Sequence, residues 1–227
     1  MTPGSPRLPF DIITFDCYGT LVDWQSGISA AFNREAQADG LEFSTSRILD
    51  AYARIEPLVQ AEAFRPYRDV LGQVAQRVAR ALGWAIDPSR AEFLARSLAS
   101  WPVFADTDPA LERLVSQGYS LGILSNVDDD LLQATLRHLE VDFSLQVTAT
   151  RTRSYKPAAP HFEVAQQRIG SGRWLHAAQS YFHDVEPAWE RGLAVAWINR
   201  KGEPAGGRAC PDHEFENLRL LADWLAG

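Results

Sequence analysis

The sequence predicts an α/β fold, a parallel β-sheet wrapped by helices, with a helical segment inserted after the first strand. Three observations predict it. Phe10 to Cys17 is a continuous β-branched and aromatic run suited to a buried strand. From about Gly27 to Ser100, apolar residues recur almost throughout at helical spacing. Beyond Trp101-Pro102, strand-like and helix-like segments alternate with short links, the pattern of parallel strands joined by crossover helices.

Taken in order, the first strand ends at Tyr18-Gly19-Thr20, where glycine permits a sharp change of direction. Helices are expected at Ala30–Asp39, Ser46–Gln60, Tyr67–Leu82 and Pro88–Ser100. Turn signals at Gly40, Pro57, Arg65-Pro66 and Asp87-Pro88 punctuate them. The alternating half then predicts a helix at Asp108–Gln117, a strand at Ser120–Ser125 and a helix at Asp129–Leu139. A strand at Leu145–Ala149 and a helix at Pro160–Ile169 follow. Next come a strand at Ser180–His183, a helix to about Gly192, a strand at Ala194–Asn199 and a last helix at Leu218–Leu225. The helical segment would cap the sheet's C-terminal edge, where ligands bind in open α/β sheets.

Composition narrows the function. A chain of 227 residues, 46% hydrophobic and 11% aromatic, can bury a sizeable core. Its net charge of −7 gives nucleic-acid or anionic-membrane binding no global electrostatic support. Cys17 and Cys210 lie far apart and form no metal-type spacing, which reads as a reduced protein. Met1 to Pro9 lacks the apolar run of a signal peptide, and no segment reaches the length of a membrane span. The expectation is a cytoplasmic protein.

Four segments fall at or just past predicted strand ends: Asp16–Thr20, Ser125-Asn126, Lys156-Pro157 and His183-Asp184. Each alone also suits a structural role, such as a helix cap or a solvated side chain. In a parallel sheet all four converge.

These segments carry a resemblance. DCYGTLVDW (Asp16–Trp24), ILSN (Ile123–Asn126), SYKPAAPHF (Ser154–Phe162) and FHDVEPA (Phe182–Ala188) resemble the four motifs of the haloacid dehalogenase superfamily. DCYGTL, LSN, YKP and the late WINR (Trp197–Arg200) are most similar to its 2-haloacid dehalogenase branch. The resemblance implies a Rossmann-like core of residues 1–26 and 101–227 with a helical cap of residues 27–100. It implies a homodimer acting on a short halogenated carboxylic acid of (S) configuration, without cofactor or metal. Asp16 would attack the halogen-bearing carbon and form an ester that water then hydrolyses. Thr20, Ser125 and Asn126 would orient Asp16 and bind the substrate carboxylate. Lys156 would hold Asp16 ionised, and Asp184 would position Lys156.

Two positions separate this branch from the superfamily's phosphatases. Two residues past the nucleophile, where phosphatases usually carry an acidic proton donor, stands Tyr18. A halide leaves without a proton, whereas an alkoxide needs one. Four residues before Asp184, where phosphatases place an acidic metal ligand, stands Ser180. A Mg²⁺-dependent phosphatase and a non-catalytic anion- or partner-binding member are the alternatives. Chloride release without Mg²⁺ separates the first, and an inert Asp16 would favour the second.

The pocket departs from the pattern. The cap helix that supplies a halide-binding Arg in that branch reads AYARIEP here, Ala51 to Pro57, with Arg54 the nearest candidate and Arg65 and Arg68 further ones. Phe162 replaces a Tyr, and Tyr181 and His183 replace Asn and Trp. Tyr18, Tyr181 and His183 complete the candidate substrate contacts, with His183 read as an orienting or packing residue ahead of a general base. Cys17 reads as packing, and Trp24 as a residue at the pocket entrance.

Overall fold

A computed structural model describes residues 9–227, so the polar stretch Met1–Pro9 lies, Pro9 excepted, outside the described residues. The first strand, β1 (Ile12–Phe15), is buried along its length. It is followed by α1 (Trp24–Gln37), α2 (Thr45–Gln60), α3 (Tyr67–Ala81) and the short α4 (Phe93–Ser97). The alternating half then runs α5 (Thr107–Ser116), β2 (Ser120–Ser125), α6 (Asp129–Leu136), β3 (Leu145–Thr148), α7 (Ala149–Thr152) and α8 (Pro160–Ile169). It ends with β4 (Trp174–Ala178), α9 (Glu186–Glu190), β5 (Ala194–Ile198), β6 (His213–Phe215) and α10 (Leu218–Ala226).

The six strands form one parallel sheet in the order β3-β2-β1-β4-β5-β6. β1 lies between β2 and β4, at the point where successive strands add on opposite sides. That switch point opens a crevice beyond its C-terminal end. Side-chain alternation divides the core into two clusters. Ile13, Phe15, Ile123 and Leu175 face one side, continuous with buried residues of α1 to α4 and α10. Ile12, Leu124, Val147 and Val195 face the other, against Phe162 of α8 and Ala188 of α9. The helical insertion thus shares one apolar cluster with a face of the sheet.

Several elements differ from expectation. The strand expected at Ser180–His183 lies earlier, at Trp174–Ala178, where all five residues are buried and pair with β1. The polar His176 interrupts that apolar run and hides its strand character, yet the fold buries His176 by giving it two hydrogen-bond partners. Residues 181–185 instead form one wide turn, closed from Val185 N to Ser180 O at 3.1 Å. The first helix starts earlier than Ala30, at Trp24, because Asp23 caps it through Ser26 N at 3.1 Å. Pro57 falls in the last turn of α2 and does not interrupt it. The expected Pro88–Ser100 helix is broken into short turns around α4. β6 was not foreseen; three residues at a sheet edge carry too little periodicity to register.

Candidate active site

Asp16 leaves β1 at the switch point, its N–H still paired to Ala177 O at 3.2 Å. The chain then turns through Gly19, whose φ of +103° is strained for any side chain. A Cβ there would also meet Gln179 Oε1 at 3.0 Å. This turn carries Thr20 back so that its hydroxyl donates to Asp16 Oδ2 at 3.1 Å while accepting from Gln179 N at 2.9 Å.

Lys156 reaches the other carboxylate oxygen. Its ammonium donates to Asp16 Oδ1 at 2.9 Å, to Asp184 Oδ1 at 2.5 Å and to Leu124 O at 2.7 Å. Three acceptors satisfy its three N–H donors. Asn126 holds the segment: its Oδ1 accepts from Lys156 N at 2.6 Å and its Nδ2 donates to Lys156 O at 3.0 Å. One amide hydrogen of Asn126 remains for the cavity it lines. The Ser125 hydroxyl is buried, lines the same cavity and has no partner among the described residues. A buried hydroxyl in that condition is a ready ligand for an anion.

Asp184 follows the wide turn, whose Ser180 hydroxyl accepts from His183 N at 3.1 Å. Behind it runs a buried relay that sequence reasoning missed. Trp174 Nε1 donates to Thr14 Oγ1 at 2.6 Å, Thr14 lies 2.8 Å from His176 Nδ1, and His176 Nε2 donates to Asp184 Oδ1 at 3.0 Å. The sole sequence signal was a histidine inside an apolar run.

Two buried carboxylates therefore share one ammonium. Burial penalises Asp184, but Lys156 and His176 outweigh it and hold its carboxyl down at about 2. For Asp16 burial wins over the pull of Lys156, and its pKa lies above the ordinary value. Burial also works against the Lys156 charge, yet the two carboxylates keep its pKa above the ordinary value. Asp16 is consequently the more basic carboxylate, as a nucleophile should be. His161, buried beneath, donates from Nε2 to Ser125 O at 3.2 Å; burial and then Lys156 push its pKa down to about 4.

Asp16, Ser125, Asn126, Lys156 and Asp184 line one side of a cavity of about 220 Å³. Gln179, Ser180 and His183 line its rim, and Tyr18, Trp24, Tyr67 and Trp101 its aromatic wall. Tyr18 is committed elsewhere: its hydroxyl pairs with Thr135 Oγ1 at 2.8 Å, and burial raises its pKa well above 10. Burial lowers the pKa of His183, whose Nδ1 lies 3.1 Å from Ser180 Oγ. Thr20 stands behind Asp16 and does not itself line the cavity.

Two expected contacts are not brought in. Arg54 is exposed on α2, its Nε donating to Asp50 O at 3.1 Å, and lies outside the cavity lining. Its position on the helix points it away from the face that bears Ala53 and Glu56. Tyr181 turns outward from the cavity, donating to Ala209 O at 2.5 Å and packing edge-on against Trp197 at 5.2 Å. Arg65 pairs with Glu62 at 2.8 Å, and Arg68 pairs with Asp130. What α2 does present is Glu56, which sequence reasoning missed; its four-residue spacing from Tyr52 and Gln60 was the available signal. Among the described residues, no cluster of three or more His, Cys, Asp or Glu side chains is arranged to hold a metal ion.

Comparison with known proteins places the chain in a family. The profile of the haloacid dehalogenase-like hydrolase family matches residues 10–179, and the chain belongs to that family. Within it, the chain is 26% identical to (S)-2-haloacid dehalogenase H-109 of Pseudomonas putida, covering 96% of this chain and 98% of that one. It is 27% identical to (S)-2-haloacid dehalogenase 4A of Burkholderia cepacia, covering 93% and 90%. The fold matches an L-2-haloacid dehalogenase from Xanthobacter autotrophicus with chloropropionic acid covalently bound, at a TM-score of 0.81 and 20% identity over 96% and 99% of the chains.

Proposed function

We propose that the chain hydrolyses short (S)-2-haloacids to 2-hydroxyacids through an ester on Asp16. One observation carries the reading: a buried carboxylate with both oxygens fixed, by Lys156 and Thr20, faces a cavity in which Tyr18 is committed to Thr135. Such a site suits a leaving group that departs as an anion. The (S)-2-haloacid dehalogenases aligned over nearly the full chain support the substrate class.

In this mechanism an Asp16 oxygen attacks C2 from the side opposite the halogen. The carbon–oxygen bond forms as the carbon–halogen bond breaks, and the halogen keeps the bonding pair. Ser125 Oγ and the free Asn126 N–H are the donors for the substrate carboxylate. Water then attacks the Asp16 carbonyl carbon, its proton passing to Asp184 or His183; the ester C–O bond breaks, that proton goes on to the departing 2-hydroxyacid oxygen, and Asp16 gives up the water's second proton to solvent as it regains its carboxylate. Lys156 stabilises the oxyanion of that second step. Residues 27–100 act as the cap, and the described residues of 1–26 together with 101–227 as the core. Family resemblance adds a homodimer, to be checked by sedimentation, and the composition a cytoplasmic location; among the described residues no helix is long and apolar enough to cross a membrane.

The test is halide release from (S)-2-chloropropionate in EDTA, with Asp16→Asn as the control. Release without added metal, abolished in the variant, supports the reading. Single turnover in ¹⁸O-water should label Asp16 itself, since water attacks its carbonyl. No halide from chloro-, bromo- and fluoroacids would overturn it.

A further inference from the structure

The cavity that Asp16 faces from the end of β1 is lined on the side of the helical insertion by one face of α2, with Tyr52, Ala53, Glu56 and Gln60, joined by Tyr67 of α3. Backside attack from Asp16 sends the leaving group toward that wall. Among the described residues a departing anion there meets no guanidinium, because Arg54, Arg65 and Arg68 are outside the lining. Lys156, across the cavity, has all three donors engaged. What the wall offers is a carboxyl group among hydroxyls. Gln60 Nε2 donates to Glu56 Oε1 at 2.9 Å, and the Tyr52 and Tyr67 hydroxyls lie 3.3 Å apart beside it.

We propose that Glu56, as the neutral acid, donates the hydrogen bond that receives the departing halide, and so determines which leaving groups and which pH the enzyme accepts. The proposal rests on the dehalogenation reading given above. With Oε1 held by Gln60, the carboxyl is oriented to carry its proton on the other oxygen. The halogen leaves with its bonding pair and is met by the Glu56 O–H; the proton stays on Glu56, and the halide then diffuses out. An ionised Glu56 would instead face both the substrate carboxylate and the halide with like charge.

Burial favours the neutral form, pushing the Glu56 pKa up to about 7, so that it prevails on the acid side of neutrality, while a hydrogen bond from the Tyr67 hydroxyl acts in the opposite direction. The other titratable groups around it are Tyr52 on its own helix, Tyr67 on α3, Tyr155 and Lys156 on the loop before α8, and Asp16, His183 and Asp184 across the cavity. Burial raises the three tyrosines above 10, and Lys156 also lies above its ordinary value. His183 lies below 6.5 and Asp184 at about 2. Asp16 must be ionised to attack, so its titration limits the acid side. Glu56 is then the group whose titration would produce a loss of activity between pH 6.5 and 8.5.

Chloride release from (S)-2-chloropropionate, followed from pH 6 to 9 in the native protein, Glu56→Gln and Glu56→Ala, tests this. For the native protein kcat/KM should fall ~30-fold between pH 6 and 8.5, as one essential proton is lost. Glu56→Gln keeps an N–H donor that does not titrate, so its profile should stay within about twofold over that range. Glu56→Ala should be equally flat but roughly tenfold or more slower at pH 6, for want of the donor. Sodium bromide titrated calorimetrically into the native protein should bind more weakly at pH 8.5 than at pH 6, and equally at both in Glu56→Gln. A Glu56→Gln profile that retains the native alkaline fall would overturn the proposal, as would bromide binding that ignores pH in the native protein. If no haloacid releases halide from the native protein at any pH, the dehalogenation reading fails, and pH-independent bromide binding would then sink the halide site as well.

Discussion

Replacing Lys156 by Met tests the electrostatic centre of the site. The side chain is 1% exposed and is the shared counter-ion of Asp16 and Asp184. Met matches its length and apolar stem but leaves two buried carboxylates with, among the described residues, only Thr20 and His176 as side-chain partners. Breaking a buried pair in this way costs about 3–5 kcal/mol. For a chain of this size that lowers Tm by roughly 6–20 °C. The sign with pH follows from linkage. Without the ammonium, both folded-state carboxyl pKa values rise above their unfolded value of 3.8. The two acids are then tolerated when protonated, and the deficit relative to the native protein grows as pH rises from about 4 to about 8. Urea midpoints at several pH values measure it. Lys156→Met with Asp184→Asn should recover about half of the loss, because one orphaned charge is gone. A deficit under about 1 kcal/mol at pH 8, or one that does not change with pH, would refute the reasoning.

Three further outcomes are expected. The folded-state pKa of Asp184, about 2 against 3.8, contributes stability that is fully present above 3.8 and lost as pH falls through about 2. That contribution is about 2 kcal/mol, and the difference between native and Asp184→Asn urea midpoints from pH 6 to 2 should show it. Gly27→Ala would ordinarily favour a helix, but here its Cβ would lie 2.3 Å from Trp101 Cγ. It should lower stability by about 1–3 kcal/mol in thermal melts and, because Trp101 lines the cavity, raise KM. Tyr18→Phe loses the hydroxyl pair with Thr135 but no proton donor, so halide release should stay within about threefold of native. A fall of a hundredfold or more would return Tyr18 to the acid–base chemistry.

By itself the sequence determined the parallel sheet with its helical insertion and the four strand-end segments that meet around Asp16. These are local matters: hydrophobic periodicity reports which segments are buried, and topology brings the C-terminal ends of parallel strands together. Thr20 was legible for that reason, just past the end of β1, whereas Lys156 and Asp184 lie beyond α7 and within the wide turn and were legible through the motifs that carry the family resemblance. Only the tertiary structure decided the opposite wall of the pocket. A helix has a continuous surface, and its rotation about its own axis is set by packing against several other elements. Arg54 therefore points out and Glu56 points in, although they are two residues apart. Burial of polar groups shows the same division. His176 broke the apolar run of β4 and shifted the expected strand to Ser180–His183, because the partners that make its burial affordable, Thr14 and Asp184, come from elsewhere in the fold. Asp16 could be named from the chain, but what its leaving group meets depends on contacts that no local pattern encodes.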